Sequence, residues 1–152
     1  MQSIGIRCGS DGFWFVVAVG TRGEPELVLA EPRKCPHDMT RACSLNWIRK
    51  EIQGVLALYK AKSCRLKAVE PFAPKNVATL HRAEVEGVIQ AAIYDSGCKD
   101  IKNLYKSQLK SVLAYEGPIR TIEEKLASSP FENLHGKELR EAALAAWAAL
   151  EE

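Results

Sequence analysis

The chain lacks any long apolar run. Although 47% of its 152 residues are apolar, no uninterrupted stretch approaches the roughly 20 residues that a membrane-spanning helix needs. Its first residues also lack the basic segment, apolar stretch and small-residue cleavage site of a secretory signal. We therefore expect a cytoplasmic protein without membrane contact, folded as one domain over residues 1–152.

A disulfide framework is missing as well. The five cysteines are odd in number and share no short repeated spacing, which predicts reduced and mostly buried thiols. Cys35, His37 and Cys43 could in principle bind zinc, but a fourth ligand and a standard spacing are absent. No nucleophile motif accompanies the three histidines, so the residues do not indicate a small-molecule enzyme with a Cys or His nucleophile.

Charge is nearly balanced overall but uneven along the chain. The formal net charge is +2, yet residues 60–110 carry ten Lys and Arg against five Asp and Glu. From residue 111 to the end there are four basic residues against eight acidic ones. A basic middle suits a polyanionic partner, although a solvated surface explains such an excess equally well.

The spacing of apolar and turn residues predicts a mixed fold in the order β-β-β-α-β-α-β-α-α-α. Three strands of a meander open the chain, at 3–9, 13–19 and 26–30, and Pro32 ends the third. Helical spacing follows from Leu45 to Tyr59 and again over 77–94, with a fourth strand at 64–69 between them and a fifth at 101–105 after them. Shorter helices are predicted at 107–113, capped by Ser107, and at 118–127, before a last helix at 136–150.

The fourth strand delivers one carboxylate, Glu70, to its own carboxyl end, where Pro71 stops the ladder. Sites in sheets flanked by helices are commonly built at this edge. A solvated residue at a strand end would give the same pattern.

Four fragments, in order, resemble the RuvC-type Holliday-junction resolvases of the ribonuclease-H-like superfamily. The resolvase first strand reads G-I-D-x-G, and this chain reads Gly5-Ile6-Arg7-Cys8-Gly9. The other three fragments are Val69-Glu70-Pro71-Phe72-Ala73-Pro74-Lys75-Asn76 with Arg82 and Gly87 following, Lys106-Ser107-Gln108-Leu109-Lys110, and Glu138-Leu139-Arg140-Glu141 ahead of an alanine-rich run. The resemblance covers nearly the whole chain and implies a five-stranded mixed sheet flanked by helices.

The chemistry implied by the resemblance is hydrolysis of a phosphodiester by two Mg²⁺ or Mn²⁺ ions held by carboxylates. The implied metal ligands are Glu70, Glu138 and Glu141, the last two on one side of a helix because they are three residues apart. Acidic residues in a first helical turn also stabilise the helix dipole without any metal. The resemblance also gives Lys110 a catalytic role near the scissile phosphate, although a lysine on a helix could simply face water. Lys75 would hold a phosphate as well, and Asn76, Arg82 and Lys106 complete the implied nucleic-acid contacts.

Arg7 departs from the family because it replaces the first-strand aspartate. An arginine cannot ligate magnesium, and its fixed charge would pair with Glu70 or Glu141 in the volume that a metal needs. Asp11, four residues further along the chain, could replace the missing carboxylate only if the hairpin brought its side chain back to the site.

Two functions therefore stay open. One is a metal-dependent endonuclease acting on structured or branched DNA, or on an RNA-containing duplex. The other is an inactive subunit that binds nucleic acid, more readily DNA than RNA, or protein, with Arg7 paired to the remaining glutamates. A homodimer or a larger protein complex is also expected. Residues 142–149 could pack against a second copy, but the same alanines could simply approach the sheet.

Overall fold

A computed structural model describes residues 2–152 as a five-stranded mixed sheet with helices on both faces. The strands are β1 (Ser3–Cys8), β2 (Gly12–Gly20), β3 (Pro25–Lys34), β4 (Ser63–Lys67) and β5 (Asp100–Leu104). The helices are α1 (Arg41–Tyr59), α2 (Val77–Asp95), α3 (Lys106–Val112) and α4 (Lys137–Ala149), with a 3₁₀ segment at Ile119–Leu126. The predicted fold class is confirmed.

The sheet has the strand order β3-β2-β1-β4-β5. Strands β1, β2 and β3 form the predicted antiparallel meander, and β4 and β5 add to the other side of β1 in parallel. The register places Arg7 beside Trp14 of β2 and beside Lys67 of β4. Residues that are partners in a ladder point to the same face of the sheet, so Arg7 and Lys67 are neighbours on one face.

Each face of the sheet carries its own apolar core. Alternate residues of β1 and β2, among them Ile4, Ile6, Phe13 and Phe15, pack against α1 and α2. The opposite face buries Val16 and other residues under α3, the 3₁₀ segment and α4. The central strands are apolar on both sides because both sides are covered. In the part of the chain from residue 2 onward, no helix is long and apolar enough to cross a membrane.

Helix α4 lies directly on β1 because the contact residues are small. A Cβ atom added to Gly5 would collide with the backbone of Ala142 and Ala146. The Ser3 hydroxyl donates a hydrogen bond to the Ala146 carbonyl at 2.8 Å across the same contact. Every residue from 142 to 149 is buried. The alanine-rich run is therefore the close approach of a helix to its sheet, and the interpretation of it as a surface for a second copy is wrong.

Several predicted boundaries are corrected. Strand β3 continues through Pro32, since an edge strand has one side without ladder partners and tolerates a missing N–H there. Strand β4 ends at Lys67, two residues before the predicted end.

The predicted helix boundaries also shift. Helix α1 begins at Arg41 because the Thr40 hydroxyl accepts a hydrogen bond from the Cys43 N–H. Helix α3 begins before Ser107, and the cap residue is Tyr105, whose N–H donates to the Gln108 side chain. The segment predicted as a helix at 118–127 is a 3₁₀ helix.

Candidate nucleic-acid interface and its ion-pair cluster

Three elements that are far apart in sequence meet at the carboxyl end of β1 and β4. Strand β1 contributes Arg7, and β4 contributes Lys67. The first half of α4 contributes Glu141, which contacts both of these residues. The Arg7 Nε atom lies 3.4 Å from Glu141 Oε1, and the Lys67 Nζ atom lies 3.7 Å from Glu141 Oε2. Each oxygen of this buried carboxylate thus faces one fixed cation. The predicted pairing of Arg7 with a glutamate is present.

Lys67 is the most enclosed charge of the site, with a side chain only 2% exposed. Its ammonium lies 3.2 Å from Glu70 Oε1 and donates to the Ala68 carbonyl at 2.5 Å, in addition to its contact with Glu141. Burial lowers the pKa of Lys67, and the two glutamates oppose that shift without cancelling it. A buried lysine needs such partners, because an unpaired ammonium in the interior is strongly unfavourable.

Glu70 lies three residues beyond the end of β4 and connects the cluster to α3. One of its oxygens accepts a hydrogen bond from the Lys106 backbone N–H at 2.9 Å, at the first residue of that helix. The same oxygen contacts Lys67 Nζ. Glu70 therefore holds the β4 strand end and the start of α3 together.

Arg82 and Glu86 of α2 close the cluster on its other side. Arg82 Nε lies 3.5 Å from Glu86 Oε1, and Arg82 Nη2 donates to the Lys67 carbonyl at 3.1 Å. Glu86 accepts the Val69 N–H at 2.9 Å. Burial raises the pKa of Glu86, with Arg82 acting in the opposite direction. Burial and then the charge of Arg7 lower the pKa of Arg82.

The ion-pair cluster thus consists of three cations and three carboxylates, and its formal charge is zero. Its members are Arg7, Lys67, Arg82, Glu70, Glu86 and Glu141.

A groove of about 550 Å³ opens above this cluster. Besides cluster residues, its rim carries Lys106, Arg120 and Lys137. Among the residues that the structure describes, no carboxylate other than Glu70 and Glu141 lines it. Because the inner charges compensate each other, the three rim residues set the sign of the groove, which is positive. Phe72 lies on the same groove with 84% of its surface exposed.

The structure brings some predicted site residues together and leaves others apart. Arg7, Glu70, Arg82, Lys106 and Glu141 line the groove. A second set does not line it and consists of Lys75, Asn76, Lys110 and Glu138. The side chain of Asn76 is engaged elsewhere, since it accepts the Thr79 N–H as the N-cap of α2.

The sequence interpretation missed Phe72 as a site residue, together with three charged groove residues, Lys67, Arg120 and Lys137. For Lys67 a signal existed, because a charged residue inside a short and largely apolar strand is tolerated in the interior only when its charge is paired. Neither Arg120 nor Lys137 carries a local signal, since charged residues at the starts of helical segments are ordinary.

The residues present do not fit the pair of magnesium ions that the resolvase resemblance implies. Carboxylate oxygens are the required ligands, but those of Glu70 and Glu141 already face an ammonium and a guanidinium. Over residues 2–152, no group of three or more His, Cys, Asp or Glu side chains lies where it could hold a metal ion. Cys35, His37 and Cys43, which could in principle have bound zinc, are among these residues and form no such group. Ligation of magnesium by Glu70, Glu138 and Glu141 stays a prediction that the charge arrangement opposes.

Solved structures share this architecture over almost the whole chain. Thermus thermophilus RuvC superimposes with a TM-score of 0.78 at 15% identity, covering 97% of this chain and 92% of that one. The T. thermophilus RuvC complex with a Holliday junction substrate gives 0.77 at 16% identity, covering 97% and 91%. The chain has the ribonuclease-H-like fold of these resolvases.

Two further neighbours come from other sources. The yeast mitochondrial Holliday junction resolvase gives a TM-score of 0.64 at 12% identity, covering 96% of this chain and 76% of that one. The Fowlpox virus resolvase with its substrate Holliday junction DNA gives 0.56 at 11% identity, covering 97% of both. No family model and no curated protein matches the sequence. At these identities the likeness establishes the fold.

Proposed function

We propose that the protein binds branched or otherwise structured DNA in the groove above the ion-pair cluster, and that it does so without cleaving the DNA. The observation that carries the proposal is the positive rim beside the exposed ring of Phe72, at the carboxyl ends of β1 and β4. The fold supports it, since two neighbours of the same fold hold Holliday junction DNA.

The rim supplies the electrostatic part of binding. Lys106, Arg120 and Lys137 lie on different elements, α3, the 3₁₀ segment and α4, and face one groove. Cations spaced around a groove contact successive phosphates and release condensed counterions, which gives affinity for DNA of any sequence. The neutral cluster underneath adds no repulsion, whereas an open carboxylate site would repel phosphate unless a metal were bound.

Phe72 supplies a preference for branched over continuous duplex DNA. A phenylalanine with 84% of its surface exposed contributes little to the core. Its ring can stack on a base that has left the helix, and such stacking is worth about 1–3 kcal/mol per base. Bases at a branch point unstack more easily than those inside a duplex.

A metal-dependent endonuclease is the second candidate, favoured by the convergence of Glu70 and Glu141 at the strand ends. In that version Mg²⁺ or Mn²⁺ would have to displace Lys67 from both carboxylates. The two candidates differ in a measurable way, because the nuclease cuts a junction when metal is added and the binding protein does not. A homodimer or larger protein complex stays a prediction.

Fluorescence anisotropy with a labelled four-way junction and a matched duplex tests the proposal. The pair Lys106→Gln and Arg120→Gln should weaken binding to both DNAs and lower the slope of log affinity against log salt by about 2, one for each lost phosphate contact. Lys102→Gln is the matched control, because Lys102 is exposed on β5 outside the groove. Phe72→Ala should reduce junction binding more than duplex binding. Unchanged affinity in the groove double variant would show that DNA, if bound, lies elsewhere.

A further inference from the structure

The arrangement around Glu141 has the form of a bridging carboxylate. Its Oε1 atom faces the guanidinium of Arg7 at 3.4 Å, and its Oε2 atom faces the ammonium of Lys67 at 3.7 Å. In a two-cation site a carboxylate joins two metal ions in this manner, one oxygen to each. Here both cations belong to the polypeptide, one on β1 and one on β4, and they are register partners.

We infer that Arg7 and Lys67 together close this site to divalent metal, and that removing both, but not Arg7 alone, opens a Mn²⁺ or Mg²⁺ site. The inference concerns the resident cations and does not depend on DNA binding. Its test contains no DNA. The inference can therefore fail while the proposed function holds, and the proposed function can fail while the inference holds.

Lys67 is the decisive residue of the pair. Its ammonium contacts Glu70 and Glu141 at once, so it lies between the two carboxylates that a metal would have to bridge. A side chain only 2% exposed cannot swing into solvent without opening the packed contact between β4 and α4. Restoring a carboxylate on β1 by Arg7→Asp therefore leaves the ammonium in place between the remaining ligands.

Arg7 is the second cation that keeps a metal ion from the Glu141 carboxylate. With Lys67 removed, Arg7 still holds Oε1 of Glu141 and donates to the Cys8 carbonyl at 2.9 Å. Its guanidinium lies 5.9 Å from the centre of the Trp14 ring, a further favourable contact that keeps it in place. Three oxygen-bearing side chains become available only when an aspartate replaces Arg7 and Lys67 is shortened.

Mn²⁺ titration of four proteins provides the test: the wild type, Arg7→Asp, Lys67→Ala, and the double variant. Thermal unfolding reports stabilisation, and electron paramagnetic resonance of free Mn²⁺ reports binding directly. At a hundredfold excess over its dissociation constant, Mn²⁺ should raise the melting temperature of the double variant by roughly 5 to 10 °C. The other three proteins should show no shift and no loss of the free Mn²⁺ signal.

Arg65→Ala is the matched control, because it frees the carboxylate of Asp100 from another partly buried ion pair at 3.1 Å on the same sheet. One carboxylate without partners should not bind Mn²⁺ measurably. A response of the wild type, or a full response of either single variant, would overturn the inference. So would a folded double variant that binds no Mn²⁺.

The double variant brings three carboxylates together and is expected to be unstable without metal. If it is unfolded in chelator, recovery of its circular dichroism on adding Mn²⁺, without recovery on adding Na⁺ at equal ionic strength, supports the inference. Should Mn²⁺ also fail to fold it, the neutral pair Arg7→Asn with Lys67→Ser decides, because it keeps oxygen ligands without adding charge. A folded neutral pair without Mn²⁺ binding refutes the inference.

Discussion

The substitution Lys67→Met removes the charge at the centre of the ion-pair cluster while keeping most of the side-chain volume. It leaves Glu141, whose side chain is 3% exposed, without one of its two cations. Breaking a buried ion pair from one side typically costs about 3–5 kcal/mol. The lower end applies here, because Arg7 still faces Glu141 and the Lys106 N–H still donates to Glu70. We expect a loss of about 3 kcal/mol.

For a chain of 152 residues, this loss corresponds to a fall in melting temperature of roughly 6 to 12 °C. Urea denaturation followed by circular dichroism measures the free energy of unfolding, with Lys102→Met, at an exposed position of β5, as the control. Adding Glu141→Gln to Lys67→Met should restore part of the lost stability, since it removes the uncompensated carboxylate. A loss below about 1 kcal/mol, the value of an exposed pair, would refute the account of Lys67 as a buried and paired cation.

Two further predictions concern packing and pH. Gly5→Ala should lower the free energy of unfolding, measured by urea denaturation, by about 1–3 kcal/mol or more, because the added methyl group meets the backbone of Ala142 and Ala146. Gly54→Ala on α1 is the control and should not lower the free energy of unfolding, because a methyl group there meets nothing. The folded-state pKa of Glu86 is raised above its ordinary value of 4.5. The contribution of Glu86 to stability is therefore fully present below pH 4.5 and is lost as pH rises through the folded-state pKa. Between these two pH values the wild type should lose stability relative to Glu86→Gln. Parallel pH profiles of the two proteins would contradict this.

The parts of the fold that follow local rules could be predicted from the sequence. Alternating apolar residues and turn residues located all five strands, and helical spacing located α1, α2 and α4. Errors arose where a local rule depends on sheet position. Pro32 ends a strand only if its N–H is needed by a neighbour, and β3 proved to be an edge.

The site was predictable in part for a similar reason. Arg7 opposite Glu141 could be anticipated because both positions match fragments of one family. The burial of Lys67 could not be anticipated from the sequence. It results from α4, which lies some seventy residues further along the chain and covers that face of β4. The rim residues Arg120 and Lys137 face the groove only through the packing of the 3₁₀ segment and α4 on the sheet.

The central claim is that fixed cations, not metal ions, neutralise the carboxylates beneath the groove. The most direct test is a labelled four-way junction incubated with the wild-type protein at matched ionic strength in chelator, Mg²⁺ or Mn²⁺, with binding and strand cleavage both resolved by electrophoresis. We predict an uncut, bound junction of equal affinity in all three conditions. Cleavage in Mg²⁺ or Mn²⁺, or binding that disappears in chelator, would contradict the account.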